Sequence, residues 1–285
     1  MTNSGISRRV KREFRSCKSC GKTFDVLKMQ CPSCKAWDAP TVVSNDETIL
    51  LSDVSELAIR RINTGPWDKI FSSNQSTGET GVVSCQAMLI GGAPGSGKST
   101  LSLQLSDEIA EIEKREVLYI AAEEAAPQIK DRGIRLKIRN PSLVRVYPLG
   151  AGSDIGEIIQ RRKPCAIIVD SLQGLTKNLE QQVEYCKALK EYSVVLDAPS
   201  IIISQVTKQE DMAGLMALQH EVDTCALFTI IDKHKRLLEN EKNRFGQLQR
   251  IFFKMTETGL VETKAPKEYE DESDGEFDPD WNDNE

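Results

Sequence analysis

The sequence predicts an α/β fold built around a parallel central sheet, with a small cysteine-rich module ahead of it. Short apolar runs recur through the middle of the 285-residue chain, and stretches with helical spacing separate them. Runs that are apolar throughout are typical of parallel strands covered on both faces, and their alternation with helices is typical of α/β domains. The predicted strands cover residues 87–90, 117–121, 143–147, 166–169, 201–203 and 226–231. Helices are predicted from Leu101 onward and over 183–196.

Composition divides the chain into four parts. Residues 1–37 form a basic N-terminus with the cysteine module, 38–65 a polar linker, 66–264 the α/β domain, and 265–285 an acidic tail predicted to be disordered. The whole chain carries a net charge of −6, yet the first 40 residues carry +6 and the last 19 carry −9. A basic head indicates contact with nucleic acid, although charge alone fits two solvated ends equally well.

Composition also argues against membrane and secreted proteins. No apolar run reaches the ~18 residues that a membrane-spanning helix needs, so no membrane partner is expected. No apolar segment follows the basic start, so no export signal is predicted. Four of the eight cysteines are scattered among apolar neighbours, as expected in the reducing cytoplasm of a bacterium or a virus-infected cell. These four are Cys85, Cys165, Cys186 and Cys225.

A glycine-rich segment predicts a binding site for ATP. It reads GAPGSGKS over residues 92–99, between a predicted strand and a predicted helix, as the P-loop pattern requires. Lys98 is expected to reach the β and γ phosphates, and the Ser99 hydroxyl to bind Mg²⁺. The alternative is a glycine turn with no ligand. The predicted ATP-binding residues are Gly92, Ala93, Pro94, Gly95, Ser96, Gly97, Lys98, Ser99 and Thr100.

Two further strand ends bring acidic groups to the same site. Asp170 follows the apolar run 166–169 and is expected to make the second Mg²⁺ contact. Glu123 follows the run 117–121, and hydrolysis needs a carboxylate that orients and deprotonates water. A strand next to the P-loop strand would place Glu123 there. Glu124 is the alternative, and one or both glutamates facing solvent is the third interpretation.

Four cysteines near the N-terminus predict a structural zinc site. Cys17 and Cys20 form one Cys-x-x-Cys pair, and Cys31 and Cys34 form a second pair ten residues later. Two such pairs complete a tetrahedral four-sulfur shell, and metal binding would supply the folding energy of so small a module. Two disulfides or a redox pair are the alternatives, which a cytosolic setting disfavours. The nearby basic residues make nucleic acid a plausible surface for the module, and a purely architectural role is equally compatible.

The P-loop and the cysteine module have companions in a fixed order. They are CPSCKAW (31–37), TGPWDKIF (64–71), IGGAPGSGKSTLSLQL (90–105), VLYIAAEEAAPQIKDR (117–132), VDSLQG (169–174), SQVTKQEDMAG (204–214), HEVDT (220–224) and KNRFG (242–246). Together they resemble the RadA/Sms family, a RecA-like group of bacterial DNA repair and recombination ATPases. KNRFG is that family's signature. The resemblance implies a RecA-like P-loop ATPase core behind a zinc ribbon.

The family also implies an assembly and a motor activity. Its members are expected to form a ring, of six subunits, around single-stranded DNA, and to use ATP-driven translocation in branch migration. Phosphoryl transfer needs positive charge opposite the P-loop, and Lys242 and Arg244 are the candidates to supply it from a neighbouring subunit. Without the family, KNRFG is a basic surface turn. Gln205 stands at the expected γ-phosphate sensor, where the family pattern has His.

Two lysines are candidate DNA contacts. Lys208 begins a stretch, 208–216, that would be a pore loop, and Lys177 lies in the other expected pore loop. Both would contact phosphates without reading sequence, and ordinary exposed lysines are the alternative.

The chain departs from the family pattern after KNRFG. The family carries a C-terminal Lon-like domain, whereas residues 247–285 hold an acidic tail with Phe277 and Trp281, so a compact form is expected. Such tails resemble those of single-strand-binding proteins, which makes a recombinase or a single-strand-binding protein a candidate partner. Two alternatives to a RadA-like motor remain open: a DnaB-type replicative ring helicase, and a DNA-binding mediator in which ATP only switches conformation.

Overall fold

A computed structural model describes the protein over residues 60–73, 78–148, 155–205 and 211–269, together with 14–16, 20, 22–25, 33 and 41–42 near the N-terminus. Its strands are β1 (Phe14–Ser16), β2 (Thr23–Asp25), β3 (Thr41–Val42), β4 (Arg61–Ile62), β5 (Val82–Val83), β6 (Ala87–Gly92), β7 (Val117–Ala121), β8 (Val144–Pro148), β9 (Ala166–Asp170), β10 (Ser200–Gln205), β11 (Thr224–Ile230), β12 (Lys235–Asn243), β13 (Arg250–Thr256) and β14 (Gly259–Thr263). Its helices are α1 (Asp68–Phe71), α2 (Lys98–Glu113), α3 (Ala126–Arg135), α4 (Ile155–Arg162), α5 (Leu172–Leu175), α6 (Leu179–Leu196) and α7 (Asp211–Glu221), and a 3-10 turn covers Lys267–Tyr269.

One mixed sheet of nine strands forms the centre of the fold, in the order β14-β13-β12-β11-β6-β10-β9-β7-β8. The six strands from β11 to β8 are parallel, which confirms the predicted α/β class with a mostly parallel sheet. Each contains most of one predicted apolar run. The remaining strands, β12 to β14, are antiparallel, and the sequence analysis missed them. β12 reads KRLLENEKN and β13 reads RIFFKMT, so neither presents the long apolar run that a doubly buried strand requires.

The sheet is covered on both faces by helices. Side chains of β6 alternate between two apolar clusters, because successive residues of a strand point to opposite faces. Met88 and Ile90 pack with Leu105 of α2, whereas Leu89 packs with Leu189 of α6. This burial on both faces fixes β6 in the interior, so only its two ends are available to contact polar groups outside the core.

Some N-terminal residues extend this picture. β4 lies in the segment assigned to the linker, pairs with β5, and buries Ile62 in the core. β1, β2 and β3 form a separate three-stranded antiparallel sheet, with Cys20 exposed beside it. Cys17, Cys31 and Cys34 lie outside the described residues, and the part that is described contains no cluster of three or more potential metal ligands. No described helix is long and apolar enough to cross a bilayer.

Gly246 marks a close approach of two backbones. It forms a bridge with Ser73, and a Cβ at position 246 would lie 2.4 Å from both the backbone N and O of Ser73. We expect Gly246→Ala to lower the free energy of unfolding by about 1–3 kcal/mol, because backbone atoms cannot move aside as a flexible side chain does. Urea denaturation measures the change.

Gly133→Ala is the matched control for this substitution. Gly133 lies in α3, where an added Cβ meets only ordinary contacts, the nearest 3.7 Å away. The alanine should be neutral or should stabilise the helix by up to about 1 kcal/mol. A Gly246→Ala protein as stable as the unsubstituted chain would contradict the close approach.

Candidate nucleotide site

The predicted P-loop joins the end of β6 to the start of α2. Gly95 and Gly97 have φ angles of +76° and +107°, which side-chain-bearing residues rarely adopt. A Cβ at Gly95 would meet nothing within 4 Å, so the crest of the loop is open. A Cβ at Gly92 would lie 2.4 Å from the backbone O of Phe228, so the strand end allows no side chain there. The segment is therefore a backbone cradle at a helix N-terminus, which is the geometry that binds phosphate.

Lys98 lies inside this cradle. Its Nζ donates hydrogen bonds to the carbonyl oxygens of Gly92 and Ala93, at 2.6 and 2.8 Å, and the residue is only 6% exposed. Burial lowers the pKa of Lys98 to about 8, against the opposing attraction of Asp170 and Glu123. An ammonium group that is buried against neutral carbonyls lacks a full counter-charge in direct contact. A phosphate group in the cradle would supply one.

The two residues predicted to bind magnesium come together. The side chain of Ser99 hydrogen-bonds the carboxylate of Asp170, which ends β9 and is 9% exposed. Burial raises the pKa of Asp170, whereas hydrogen bonds from Tyr119 and Ser99 act in the opposite direction. Mg²⁺ in nucleotide sites uses one or two protein ligands together with phosphates and waters, so this small donor set fits the ion.

Tyr119 lies beneath these residues, and the sequence analysis missed it. Its hydroxyl donates to Asp170 Oδ2 at 2.5 Å and lies 3.1 Å from Ser102 Oγ, and the ring is fully buried in β7. Burial, followed by the negative charge of Asp170, raises the pKa of Tyr119 well above its ordinary value. The signal was a tyrosine inside the aliphatic run VLYIA, since a buried tyrosine hydroxyl requires a partner.

Glu123 meets Gln205 at the same edge of the sheet. The Nε2 of Gln205 donates to both carboxylate oxygens of Glu123, at 2.9 and 2.8 Å, and the Ser171 hydroxyl donates to Oε1. The expectation that Glu123 follows a neighbour of the P-loop strand was wrong, because β10 and β9 lie between β6 and β7. Glu123 contacts the end of β10 instead. The backbone N–H of Gln205 donates a 2.9 Å hydrogen bond to Oε1 of Gln173.

Glu124 has different surroundings. Its Oε1 accepts a hydrogen bond from Arg132 Nη2 at 2.5 Å. Glu124 Oε2 and Arg132 Nη1 are buried atoms without a hydrogen-bond partner. Glu124 also lies near enough to Asp170 to help raise the pKa of that carboxyl group. Of the two adjacent glutamates, Glu123 is therefore the one in contact with Gln205, and Glu124 belongs to an ion pair beside Asp170.

Two residues of the antiparallel strands contact the P-loop, and the sequence analysis did not predict either of them. Arg236 of β12 donates from Nε to the backbone O of Ser96 at 2.9 Å and from Nη1 to the backbone O of Asp232 at 2.8 Å. The side chain of Met255 in β13 lies against Gly97, where a Cβ would come within 2.5 Å of its Cε. No local motif marks either residue, since both contacts join segments more than 130 positions apart.

Lys242 and Arg244 lie at the other end of the sheet. Lys242 pairs with Cys225, and the neighbouring Thr224 pairs with Met88 near the start of β6. The Nζ of Lys242 donates to the backbone oxygens of Gln219 and Val222, both at 2.8 Å. Burial, helped by nearby cationic groups, lowers the pKa of Lys242. The structure therefore does not bring Lys242 or Arg244 to the chain's own P-loop.

The predicted DNA contacts have separate positions. Lys177 is exposed in the connection between α5 and α6. Lys208 lies outside the described residues, and residues 211–216 of the expected pore loop are the first turns of α7.

The low pKa of Lys98 predicts that nucleotide binding takes up a proton. A bound phosphate would raise this pKa, because an opposite charge favours the protonated amine. The phosphate itself ionises near pH ~6, well below this range. ADP affinity should therefore fall as pH rises above about 8, approaching tenfold per pH unit. Calorimetry in buffers of different ionisation enthalpy measures the uptake.

Lys98→Met is the control for proton uptake, since it retains the length of the side chain without a titrating group. The variant should bind ADP more weakly, and its affinity should not change with pH over the same range. ADP binding to the unsubstituted chain without proton uptake near pH ~9 would contradict the assignment.

No family model matches the chain. It is 33% identical over 271 residues to the DNA repair protein RadA of Aquifex aeolicus (strain VF5), covering 89% of this chain and 60% of that protein. It is 33% identical over 282 residues to the DNA repair protein RadA of Bacillus subtilis (strain 168), covering 88% and 60%. It is 30% identical over 269 residues to the DNA repair protein RadA of Campylobacter jejuni, covering 87% and 60%. The chain thus spans about three fifths of the length of these relatives.

A solved structure supports the fold. A KaiC-like protein of Pyrococcus horikoshii OT3 superposes with a TM-score of 0.57 at 15% identity, covering 72% of this chain and 100% of that one. At this identity the likeness concerns the fold, which is the RecA-like α/β arrangement with a mostly parallel central sheet. With the fold, the P-loop and the extended similarity to RadA proteins together, the chain belongs to the RadA/Sms family.

Proposed function

We propose that the protein is an ATPase that acts on DNA in recombination or repair. The observation that carries this proposal is the carboxylate of Glu123, held by Gln205 and Ser171 at the edge of the sheet that also carries the P-loop and Asp170. A site that only binds nucleotide needs a cradle and a cation. Hydrolysis also needs a base beside the cradle, and Glu123 is close enough to Lys98 to influence its pKa.

Each residue of the site has a role in this proposal. The backbone of residues 92–99 and Lys98 bind the phosphates of ATP, and Thr100 lies in the first turn of α2 behind them. Ser99 and Asp170 would hold Mg²⁺, which neutralises charge on the β and γ phosphates. Glu123 orients and deprotonates the attacking water. Gln205 contacts Glu123 at the end of β10, and its proposed role is to report the presence of the γ-phosphate to the segment that follows.

The substrate of the motor is proposed to be single-stranded or branched DNA, moved in branch migration by a ring of subunits, in a hexamer as the family implies. The names of the relatives support the repair context, and three fifths of their length is matched. Lys177 and Lys208 are proposed backbone contacts. A recombinase or a single-strand-binding protein is the proposed protein partner, docking on the acidic tail 265–285.

The subunit contact is proposed to complete the nucleotide site. Arg244 and Lys242 lie at the opposite end of the sheet from the chain's own P-loop, so they could reach phosphates only in a second copy. Lys242 is engaged by the carbonyls at the end of α7, whereas the Arg244 side chain is 52% exposed. Arg244 is therefore the better placed of the two to act across an interface.

Zinc binding by Cys17, Cys20, Cys31 and Cys34 is proposed from their spacing. Metal analysis should find about one zinc per chain, and Cys31→Ser should lose it, because three thiolates no longer close the shell. Cys85→Ser, a half-buried cysteine outside the motif, should keep the metal. A fully reduced, zinc-supplied chain that contains no zinc would overturn this proposal.

Glu123→Gln tests the catalytic assignment. The amide keeps the size of the side chain and removes the base, so the DNA-stimulated ATP turnover number should fall about 10²- to 10⁴-fold. ADP affinity should change little, since Lys98 and the cradle remain. The measurement is steady-state ATP hydrolysis with and without single-stranded DNA.

Glu108→Gln is the matched control for Glu123→Gln, since Glu108 pairs with Arg139 on the outer part of α2 and should not affect turnover. Full turnover in Glu123→Gln would remove Glu123 from the mechanism. An unsubstituted chain that binds DNA but hydrolyses no ATP would favour the mediator that ATP only switches. Unwinding of a plain replication fork in preference to branched recombination intermediates would favour a DnaB-type helicase.

A further inference from the structure

The HEVDT segment contains an acidic residue that the proposed chemistry does not use. Asp223 is buried, with 8% of its side chain exposed, and its Oδ1 accepts hydrogen bonds from Lys190 at 2.5 Å and Arg244 at 3.1 Å. Its Oδ2 accepts from the backbone N of Ala87 at 3.1 Å. Its own backbone receives the N–H of Arg244 and donates to the carbonyl of Ala87. Asp223 therefore joins three separate segments at one point.

Three basic side chains lie around Asp223. Lys190 and Arg244 share a single carboxylate oxygen, and Lys242 lies close enough for its pKa to be lowered by both. The carbonyls at the end of α7 satisfy Lys242 only as hydrogen-bond acceptors. Arg244 is the exposed member of this group, with 52% of its side chain accessible to solvent. A guanidinium that bonds a carboxylate through one nitrogen and exposes its other N–H groups is suited to bind an anion such as phosphate.

This group cannot serve the chain's own P-loop. Asp223, to which Arg244 is bonded, contacts the first residue of β6, and the P-loop begins at the last residue, Gly92. Five residues of strand separate these ends by about 17 Å, farther than an arginine side chain extends. Any nucleotide phosphate that Arg244 contacts therefore belongs to another copy of the chain.

We propose that Asp223 is a positioning residue for Arg244, fixing its guanidinium toward a phosphate in the nucleotide site of a second copy. The inference rests on the proposed ATPase function and deepens it. Because Asp223 also binds Ala87, the orientation of Arg244 is tied to the strand whose far end carries the chain's own cradle. Lys190 donates to the same oxygen and helps to hold the carboxylate in place.

Three variants separate this role from a structural one. Arg244→Gln should lower the DNA-stimulated turnover number by about 10³-fold or more, as loss of a charge acting across an interface does. Asp223→Asn should lower it by about 10- to 100-fold with little change in KM, because Arg244 remains but is less well fixed. Asp131→Asn makes the same chemical change at an exposed position of α3 and serves as the control, so it should leave turnover unchanged.

Mixing subunits gives a readout that a structural role would not move. Lys98→Ala chains should not hydrolyse ATP at their own cradle but retain Asp223 and Arg244. Mixed with Asp223→Asn chains, they should restore turnover, because intact cradles then face intact arginines at some interfaces. If Asp223→Asn only distorted β6 and its own cradle, Lys98→Ala chains could not rescue it. Asp223→Glu, which keeps the charge and moves the carboxylate by one methylene, is the second variant should Asp223→Asn fail to fold.

The outcomes of these experiments are distinguishable. Loss of turnover in Arg244→Gln with full turnover in Asp223→Asn overturns the role of Asp223 and leaves the proposed function standing. Full turnover in Arg244→Gln removes the contact across the interface altogether. Loss of turnover in Asp223→Asn or Asp223→Glu without rescue by Lys98→Ala assigns Asp223 to stability alone. Absence of ATP turnover in the unsubstituted chain overturns the proposed function itself.

Discussion

The parallel pairing of β6 is the constraint on which the rest of the structure depends. β6 is hydrogen-bonded to β10 on one edge and β11 on the other, and helices bury both its faces. Its backbone groups are therefore satisfied within the sheet, and its side chains are enclosed. Only the ends of β6 contact polar side chains outside the core. The carboxyl end leads into the phosphate cradle, and the amino end binds Asp223.

Incomplete charge compensation is the common property of the residues at the carboxyl end. Lys98 is buried against two carbonyls, and Asp170 against hydroxyl groups of Tyr119 and Ser99, so neither has an opposite full charge in direct contact. Burying a charge in this way is unfavourable unless another interaction offsets it. A nucleotide phosphate and a divalent cation together would provide the two missing charges. The free energy spent on burial is then recovered only when both are bound.

The parallel strands of the core and the P-loop at the end of β6 were predictable from the sequence, because local patterns encode both. Apolar runs located β6 to β11, and the glycines of the P-loop required their backbone geometry at fixed positions. Contacts between distant segments were not predictable. Arg236 bonds Ser96 from β12, a strand whose charged sequence shows no apolar run. The position of Glu123 depends on the order of strands in the sheet, which the order along the chain does not reveal.

KNRFG shows the same limit in another form. Its basic residues suggested two equivalent candidates for one role, and sequence offers no means of separating them. Their surroundings in the fold differ, since Lys242 donates to carbonyls at the end of α7, whereas Arg244 bonds Asp223 and keeps half of its side chain exposed. Gly246 in the same motif is explained by the proximity of the Ser73 backbone, so part of the motif is required by packing alone.

The placement of the cradle and Arg244 at opposite ends of one strand has a consequence for symmetry. A contact that joins the first end of one molecule to the second end of another uses different surfaces on its two sides. In a two-fold dimer the same two molecules would have to make this contact twice, once in each direction. Where each pair of molecules makes it once, its repetition either closes into a ring or continues as an open helical filament, and the angle between successive molecules decides which.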